Sequence, residues 1–355
     1  MTVLSVDPKI ISMANSLRLD GADAVRSIMD YCKKRIARTL RHAVSVRTID
    51  DLERLICTEL NLVIHEVRTD EDVAELSKRY IAEGEAVFAA LDMELDADSY
   101  GVLYQRRQAH GRGPTRYIAV VDCRGEKAAR RFFTRWHEIA YRLTTFQQFE
   151  LPFHRTTISG IEKDPIEKLM DMIAGEVGFF DPLFRPVLET EIQASGRLSF
   201  EVVENVRIRY CPDASFQSTV NACAARLDAP VILLEAGMGL KKREFRELHD
   251  LQMALIPLPK PKACLRVLSS IPNEAARDVS LRIHKNMRVP ETSIVYKVFN
   301  ADSETTAAAS EALETLATWT SSDGGHLPEV MVHIQAQKRN DRVLAIVAPV
   351  DNRAN

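Results

Sequence analysis

Two short helical patterns in the middle of the chain restrict the folds that are compatible with this sequence. The first contains His137 and Glu138, with Tyr141 four residues after the histidine. The second contains Glu167 and Asp171, which are also four residues apart. Residues four apart lie on one face of a helix, so each pattern gathers its polar side chains on a single face. With a second histidine in place of Tyr141, the first helix would hold zinc through two imidazoles and use its glutamate as general base.

The residues around both patterns extend this signature. The matching residues are Phe133, Thr134, His137 and Glu138 in the first helix, and Glu167, Asp171, Ala174 and Glu176 in the second. In this order the chain resembles the ImmA/IrrE family of bacterial metallopeptidases, whose first helix reads Arg-Phe-Thr-x-x-His-Glu-x-x-His. The resemblance covers roughly residues 20 to 235, without the segment 70 to 98. It departs from the family at Tyr141, where the second histidine is replaced.

The resemblance implies a fold class and a set of residue roles. The fold class is α+β, with a zincin-like, mainly helical peptidase domain that contains a small sheet, followed by a separate α+β module. Zinc is the implied cofactor, with His137 and Glu167 as ligands, Asp171 orienting the histidine, and Glu138 as general base. The implied activity is cleavage of a protein substrate such as a helix-turn-helix repressor, in stress response or mobile-element control.

The replacement at Tyr141 leaves the third zinc ligand open, because catalytic zinc usually has three protein ligands and a water. Tyr141 itself is one candidate, if the ion offsets the cost of ionising a phenol whose ordinary pKa is about 10. His154, on the connection between the two helices, is a substitute ligand. Tyr141 has a competing role as a hydrogen-bond donor to the oxyanion of the reacting carbonyl. Without a third ligand, the chain would be a catalytically inactive pseudo-peptidase that binds a protein or acts as a sensor.

Composition narrows the remaining function classes. The 355 residues carry a net charge of −3 from 47 basic and 50 acidic residues, which argues against a nucleic-acid-binding surface over the whole molecule. A regulator that contacts nucleic acid through basic segments, namely the helix at 33–41 and the turn that carries Arg106, Arg107, His110, Arg112 and Arg116, is therefore the weakest of three hypotheses. The apolar runs are far shorter than the roughly 20 residues of a membrane span, and the start of the chain lacks a signal-peptide pattern. We therefore expect a cytoplasmic protein without a membrane partner.

The cysteines and prolines bear on compartment and domain organisation. Six widely spaced cysteines without a Cys-x-x-Cys pair predict reduced thiols rather than a zinc ribbon or a dithiol redox site. The proline-rich stretch 256–262 is predicted to be a linker, because proline favours extended backbone. It separates a peptidase domain at 1–255 from a module at 263–355, for which a sensory or regulatory role is predicted.

Hydrophobic periodicity predicts the elements around these motifs. In the first domain, helices are predicted at about 22–43, 48–60, 71–95 and 126–144, and around 165–178, 185–194, 199–210 and 214–227. An edge strand is predicted at 62–67, and paired strands at 102–104 and 117–121. In the module, strands are predicted at 265–268, 293–299, 330–334 and 343–347, with a helix at about 303–318.

Overall fold

The computed structural model describes residues 4, 6–41, 46–106, 116–144, 153–156, 164–240, 244, 263–301, 309–320 and 324–350, with only the backbone of 153–156. These residues form a mixed α and β protein with two sheets, as the α+β prediction expects. Their contacts divide the chain into two units. Unit 1 comprises Met1–Thr190 and Asn205–Thr219, and unit 2 comprises Glu191–Glu204 and Val220–Asn355. Within the described ranges, no helix combines the length and apolar character that crossing a membrane requires.

Unit 1 contains a four-stranded sheet in the order β1-β3-β2-β4. Its strands are β1 (Leu62–Val67), β2 (Ser99–Arg106), β3 (Arg116–Asp122) and β4 (Phe153–Thr156). Strand β1 runs parallel to β3 at one edge, which confirms the predicted edge strand, and β2 pairs antiparallel with both β3 and β4. The apolar run of β3 is buried throughout, so this strand forms the centre of the sheet.

The helices that begin in unit 1 largely follow the predicted pattern. They are α1 (Pro8–Ser16), α2 (Ala24–Arg41), α3 (Ile49–Glu59), α4 (Asp70–Ala82), α5 (Leu91–Glu94), α6 (Arg131–Thr144), α7 (Pro165–Gly178) and α8 (Asp181–Ser195). Two 3₁₀ turns, Ala86–Ala90 and Gly125–Arg130, precede α5 and α6. The next two helices are α9 (Phe200–Tyr210) and α10 (Phe216–Ala225), and the boundary between the units falls within α8, α9 and α10.

The single helix predicted at 71–95 is wrong, because the structure breaks it after Ala82. Gly84 has a φ of +92°, a backbone conformation that glycine adopts far more readily than other residues and that commonly ends helices. The chain then continues through a 3₁₀ turn into the short helix α5. Residues that favour helices lie on both sides of Gly84, so the hydrophobic periodicity of the sequence does not indicate this break.

Unit 2 contains a five-stranded antiparallel sheet in the order β6-β5-β9-β8-β7. Its strands are β5 (Ile232–Gly239), β6 (Cys264–Pro272), β7 (Ser310–Thr315), β8 (Met331–Arg339) and β9 (Arg342–Pro349), and its short helices are α11 (Glu274–Asp278) and α12 (Ile294–Asn300). The predicted strands at 265–268, 330–334 and 343–347 are confirmed within β6, β8 and β9. One apolar core is built from strand residues of this sheet and from α12.

Two predictions in the module are wrong. The predicted strand at 293–299 is instead α12, where the Ser293 side chain accepts a hydrogen bond from the backbone N–H of Val295 and caps the helix. Val295 and Val298 are buried three residues apart, which is a helical spacing. The predicted helix at 303–318 is contradicted at Ser310–Thr315, which forms edge strand β7 by pairing with β8. Residues 302–308 lie outside the described part of the chain.

The predicted linker at 256–262 falls between β5 and β6, two paired strands of one sheet. Strand β5 precedes the predicted linker and was assigned to the peptidase domain, yet it pairs with β6 on one side and β9 on the other. The linker itself, 256–262, lies outside the described residues. The contacts therefore assign β5 to the same unit as the strands that follow the linker.

Candidate active site

The first motif lies on a helix that is buried on nearly every side. In α6, residues 132, 134–141, 143 and 144 are all buried, so the helix forms part of the core of unit 1. His137, Glu138 and Tyr141 are exposed by only 0%, 1% and 3%. Polar side chains buried this deeply need hydrogen-bonding or charged partners, since burial without them costs several kcal/mol, on the order of 2–7.

The second motif begins in the first turn of α7. The Asp164 side chain caps this helix by accepting a hydrogen bond from the backbone N–H of Ile166, and Pro165 starts it. Near its end, a Cβ atom at Gly178 would lie 3.0 Å from the ring of Trp136, so glycine permits the close approach of α6 and α7. The caps and this close contact determine where Glu167 and Asp171 face α6.

The structure brings Tyr141, Glu167 and Asp171 together around His137. Its Nδ1 atom lies 3.1 Å from Oδ1 of Asp171, and its Nε2 atom lies 3.3 Å from Oε2 of Glu167. The Tyr141 hydroxyl donates a hydrogen bond to Oε1 of Glu167, and the Tyr141 ring meets the His137 ring edge-on at a centroid distance of 5.3 Å. One imidazole is therefore held between two carboxylates, and one of those carboxylates also accepts from a phenol.

The protonation of Tyr141 follows from its surroundings. Burial raises the pKa of the Tyr141 hydroxyl well above its ordinary value, and the negative charge of Glu167 and the hydrogen bond to it raise this pKa further. Glu138 acts in the same direction. In these surroundings Tyr141 is a neutral phenol that donates a proton to Glu167, so it is better suited to hydrogen bonding than to ligation as a phenolate.

The 3.3 Å separation of His137 Nε2 and Glu167 Oε2 is compatible with two ligands of one metal ion. A histidine nitrogen and a carboxylate oxygen bound to tetrahedral zinc at about 2.0–2.1 Å lie about 3.3 Å apart. If Nδ1–H donates to Asp171, Nε2 directs its lone pair towards another acceptor, the Glu167 carboxylate. A second proton on the imidazole or a metal cation between Nε2 and Oε2 would satisfy this pair. Among the described residues of this site, His137 and Glu167 are therefore the pair that could hold a zinc ion.

A third protein ligand of a usual type is not evident. Among the residues that the structure describes, no group of three or more histidine, cysteine, aspartate or glutamate side chains is arranged to hold a metal ion. His154 lies in β4, where its backbone pairs with Val102 of β2. The His154 side chain lies outside the described part of the chain. Its role as a substitute ligand stays a prediction.

Arg135, on the same helix, anchors it to neighbouring elements. Its guanidinium lies 3.0 Å from Glu53 of α3, 2.6 Å from Glu66 of β1 and 3.7 Å from Asp213. A buried guanidinium held by several carboxylates restricts how the helix can rotate. This cluster could not be predicted from the sequence, because its members are far apart along the chain.

The structure also adds Gly101 to the site. This buried residue of β2 faces Glu138, and a Cβ atom built on it would lie 3.1 Å from Oε1 of Glu138. This contact was not predicted from the sequence. An isolated glycine in a strand pattern often marks a bulge or a close backbone approach, so Gly101 itself is the sequence feature that could have indicated this contact. The pairing of β2 with β4 indeed shifts register between Ser99 and Gly101.

The basic groups considered for nucleic acid are partly engaged elsewhere. Arg106 binds Glu83 and Glu85 at 2.7 Å each, and Lys33 pairs with Glu176. Arg35 lies 3.6 Å from Glu59 and donates to the backbone carbonyl of Leu143. These contacts use charges that a phosphate backbone would otherwise contact.

No protein-family model matches the chain, and no curated protein matches it either.

Proposed function

We propose that this chain is a zinc-dependent endopeptidase of the ImmA/IrrE type, with a zincin-like peptidase domain. The observation that most supports the proposal is the 3.3 Å separation of His137 Nε2 and Glu167 Oε2, with Asp171 at the opposite nitrogen of the same imidazole. A carboxylate at the far nitrogen of a ligand histidine sets its tautomer and orientation and makes it a better metal ligand.

Each residue of the proposed centre has a distinct task. The chemistry that bound zinc supplies is Lewis acidity, which polarises a carbonyl and acidifies water. Glu138 takes a proton from the attacking water and passes it to the leaving amine. Tyr141 holds one oxygen of Glu167 through its hydroxyl, which leaves the other oxygen directed towards His137. The phenol carries one proton, so donation to the oxyanion that develops on the substrate carbonyl would replace its hydrogen bond to Glu167.

The substrate class rests on the family resemblance. It is a protein, such as a helix-turn-helix repressor, and cleavage would relieve repression in stress response or mobile-element control. The protein would act in the cytoplasm, with the module at 263–355 regulating the peptidase domain. Direct nucleic-acid binding is not part of the proposal.

Metal content tests this function directly. Protein purified without chelator should contain about one zinc per chain, because the proposed centre holds one ion. Zinc should be lost in His137→Ala and Glu167→Gln. It should be retained in His65→Gln, a matched control for a histidine whose Nε2 lies 2.8 Å from the Tyr80 hydroxyl, outside this site. Elemental mass spectrometry provides the measurement, and His154→Ala and Tyr141→Phe report on the third ligand.

Turnover requires a separate measurement. Glu138→Gln should keep its zinc and lose cleavage of an unfolded protein substrate such as casein, since general-base catalysis contributes typically 10²–10⁴-fold. Absence of zinc from the wild type, even after zinc is added and unbound metal is removed, would contradict the proposed activity.

The hydrogen bond from Tyr141 to Glu167 favours a second candidate function. A neutral phenol in the place of a ligand leaves two ligands of a usual type among the residues that the structure describes, and such a centre would bind zinc weakly. The chain would then be a pseudo-peptidase that uses the same fold to bind a protein or to act as a sensor. This candidate predicts no stoichiometric zinc and unchanged partner binding in Glu138→Gln.

A further inference from the structure

Gly101 lies where the central part of the sheet meets the proposed catalytic helix. A Cβ atom built on Gly101 would lie 3.0 Å from Cγ2 of Thr134, 3.1 Å from Oε1 of Glu138 and 3.3 Å from the backbone oxygen of Val120. All three distances are shorter than ordinary van der Waals contact between carbon and these atoms. A methyl group at this position therefore requires at least one neighbour to move.

Two of the three neighbours are held in place. Val120 belongs to β3, which is paired on both sides, with β1 and with β2. Thr134 is 1% exposed, and its hydroxyl donates a 3.1 Å hydrogen bond to the backbone oxygen of Arg130, which holds its methyl group against β2. The Glu138 carboxylate lies at the end of a longer side chain with three rotatable bonds, so it is the neighbour that moves at the lowest cost.

The strand cannot retreat from the helix to make room. Gly101 is paired with Val121 of β3 on one side and with Arg155 of β4 on the other. Its φ also lies outside the left-handed region, so alanine is compatible with the backbone. The effect of a methyl group here is consequently a side-chain contact rather than backbone strain.

We propose that Gly101 is a positioning residue for Glu138: the absence of a side chain at this point of β2 provides the space that the carboxylate occupies. The catalytic meaning of this placement rests on the proposed peptidase function, whereas the contact itself does not. Replacement of Gly101 by alanine displaces the Glu138 carboxylate by a few tenths of an ångström or into another rotamer.

A double-mutant cycle tests the contact without any assay of turnover. The melting temperature is measured for the wild type, Gly101→Ala, Glu138→Ala and the double variant. Gly101→Ala should lower the melting temperature by roughly 2–4 °C in the wild-type background, because overpacking a filled site destabilises it. Gly101→Ala should lower the melting temperature by clearly less in the Glu138→Ala background, because the carboxylate is absent there. Equal losses in both backgrounds would overturn the proposal.

Gly175→Ala is the matched control for this cycle. It makes the same substitution in α7, where the added Cβ atom would meet only Cε2 of Phe133, at the ordinary contact distance of 3.9 Å. Its effect on the melting temperature should be the same with and without Glu138→Ala. If Gly175→Ala is coupled to Glu138→Ala as strongly as Gly101→Ala is, the coupling at Gly101 does not arise from a specific contact with Glu138.

Turnover tests the consequence for catalysis in the zinc-loaded full chain. Gly101→Ala should lower kcat about tenfold or more with little change in KM and with zinc content retained, since small misplacements of a catalytic group cost up to about 10²-fold. Full kcat in a variant that shows the stability coupling would overturn the positioning role. A wild type without turnover instead contradicts the proposed function, and the stability cycle then decides the Gly101–Glu138 contact.

Discussion

At the scale of single residues, Tyr141 decides the chemistry of the candidate site. Its hydroxyl donates to Glu167, one of the two residues that fit a metal, and its ring contacts the other, His137. Burial and the neighbouring carboxylates keep its pKa raised, so the phenol retains its proton. Tyr141 is therefore integrated into the candidate site as a hydrogen-bond donor.

Restoring a nitrogen ligand at this position should strengthen zinc binding. We expect Tyr141→His to raise zinc affinity at least about 100-fold, because even residues that merely orient ligands contribute about 10–100-fold. Competition with a chromogenic chelator measures the affinity. Tyr31→His, which adds a histidine on α2 instead, is the control and should leave the affinity as in the wild type. Equal affinity in Tyr141→His and the wild type would show that position 141 does not reach the ion.

At the scale of elements, side-chain caps explain where several helices begin. Thr48 and Asp51 form a capping box at α3, in which each side chain accepts a hydrogen bond from the backbone N–H of the other residue. Thr69 and Asp72 form the same arrangement at α4. The Thr69 cap comes directly after β1, so it determines where the chain leaves the edge strand and turns into α4.

The capping box at α3 should make the stability of the fold depend on pH. Hydrogen bonds from Thr48 first, and then from Arg47 and Arg54, lower the pKa of Asp51 to about 2 from an ordinary value of 3.8. Because the folded pKa is lowered, the ionised carboxylate stabilises the fold. Its contribution should be fully present above about pH 4 and lost as the pH falls through about 2.

Thermal unfolding at several pH values between 2 and 6 measures this contribution. The wild type should be more stable than Asp51→Ala at pH 5 to 6, and the difference should shrink as the pH falls towards 2. The difference between Asp51→Asn and Asp51→Ala serves as control and should stay constant, because neither side chain ionises. A wild-type advantage that is the same at pH 2 and pH 6 would contradict the assigned role.

At the scale of the whole molecule, the sheet of unit 2 joins segments from both sides of the predicted linker. Strand β5 lies between β6 and β9, and Ile232, Leu234 and Ala236 contribute to the apolar core of this unit. The segment 191–204 belongs to the same unit, with the backbone N–H of Phe200 donating to the Gln335 side chain at 2.7 Å. The module at 263–355 is therefore an incomplete sheet by itself.

Fragments of the chain test this organisation. A fragment 263–355 should lack a cooperative thermal transition, because removing β5 leaves β6 and β9 without their shared partner and opens the core. A fragment 191–355, which contains all five strands, should unfold cooperatively. Far-ultraviolet circular dichroism during heating makes the comparison. Cooperative unfolding of 263–355 alone would instead support a domain boundary at the linker.

The sequence by itself determined the features that depend on neighbouring residues. The cap of α3 at Thr48 and the helical spacing of His137 with Tyr141 and of Glu167 with Asp171 involve residues within four positions of each other. Hydrogen bonds and side-chain periodicity act over that range, so they can be identified in the sequence. The paired strands β2 and β3 followed in the same way from their apolar runs and the segment between them.

Only the tertiary structure decided the features that depend on distant partners. The sequence left open whether Tyr141 ligates or donates; its hydrogen bond to Glu167 exists because α6 and α7 pack closely at Gly178. The segment 310–315 forms a strand because β8 supplies its backbone partners, and Ile294–Asn300 forms a helix despite its β-branched residues. Likewise, β5 joins strands beyond the linker, and Gly101 meets Glu138 across a sheet–helix contact. Such contacts depend on packing between residues far apart in the chain, which local propensity does not specify.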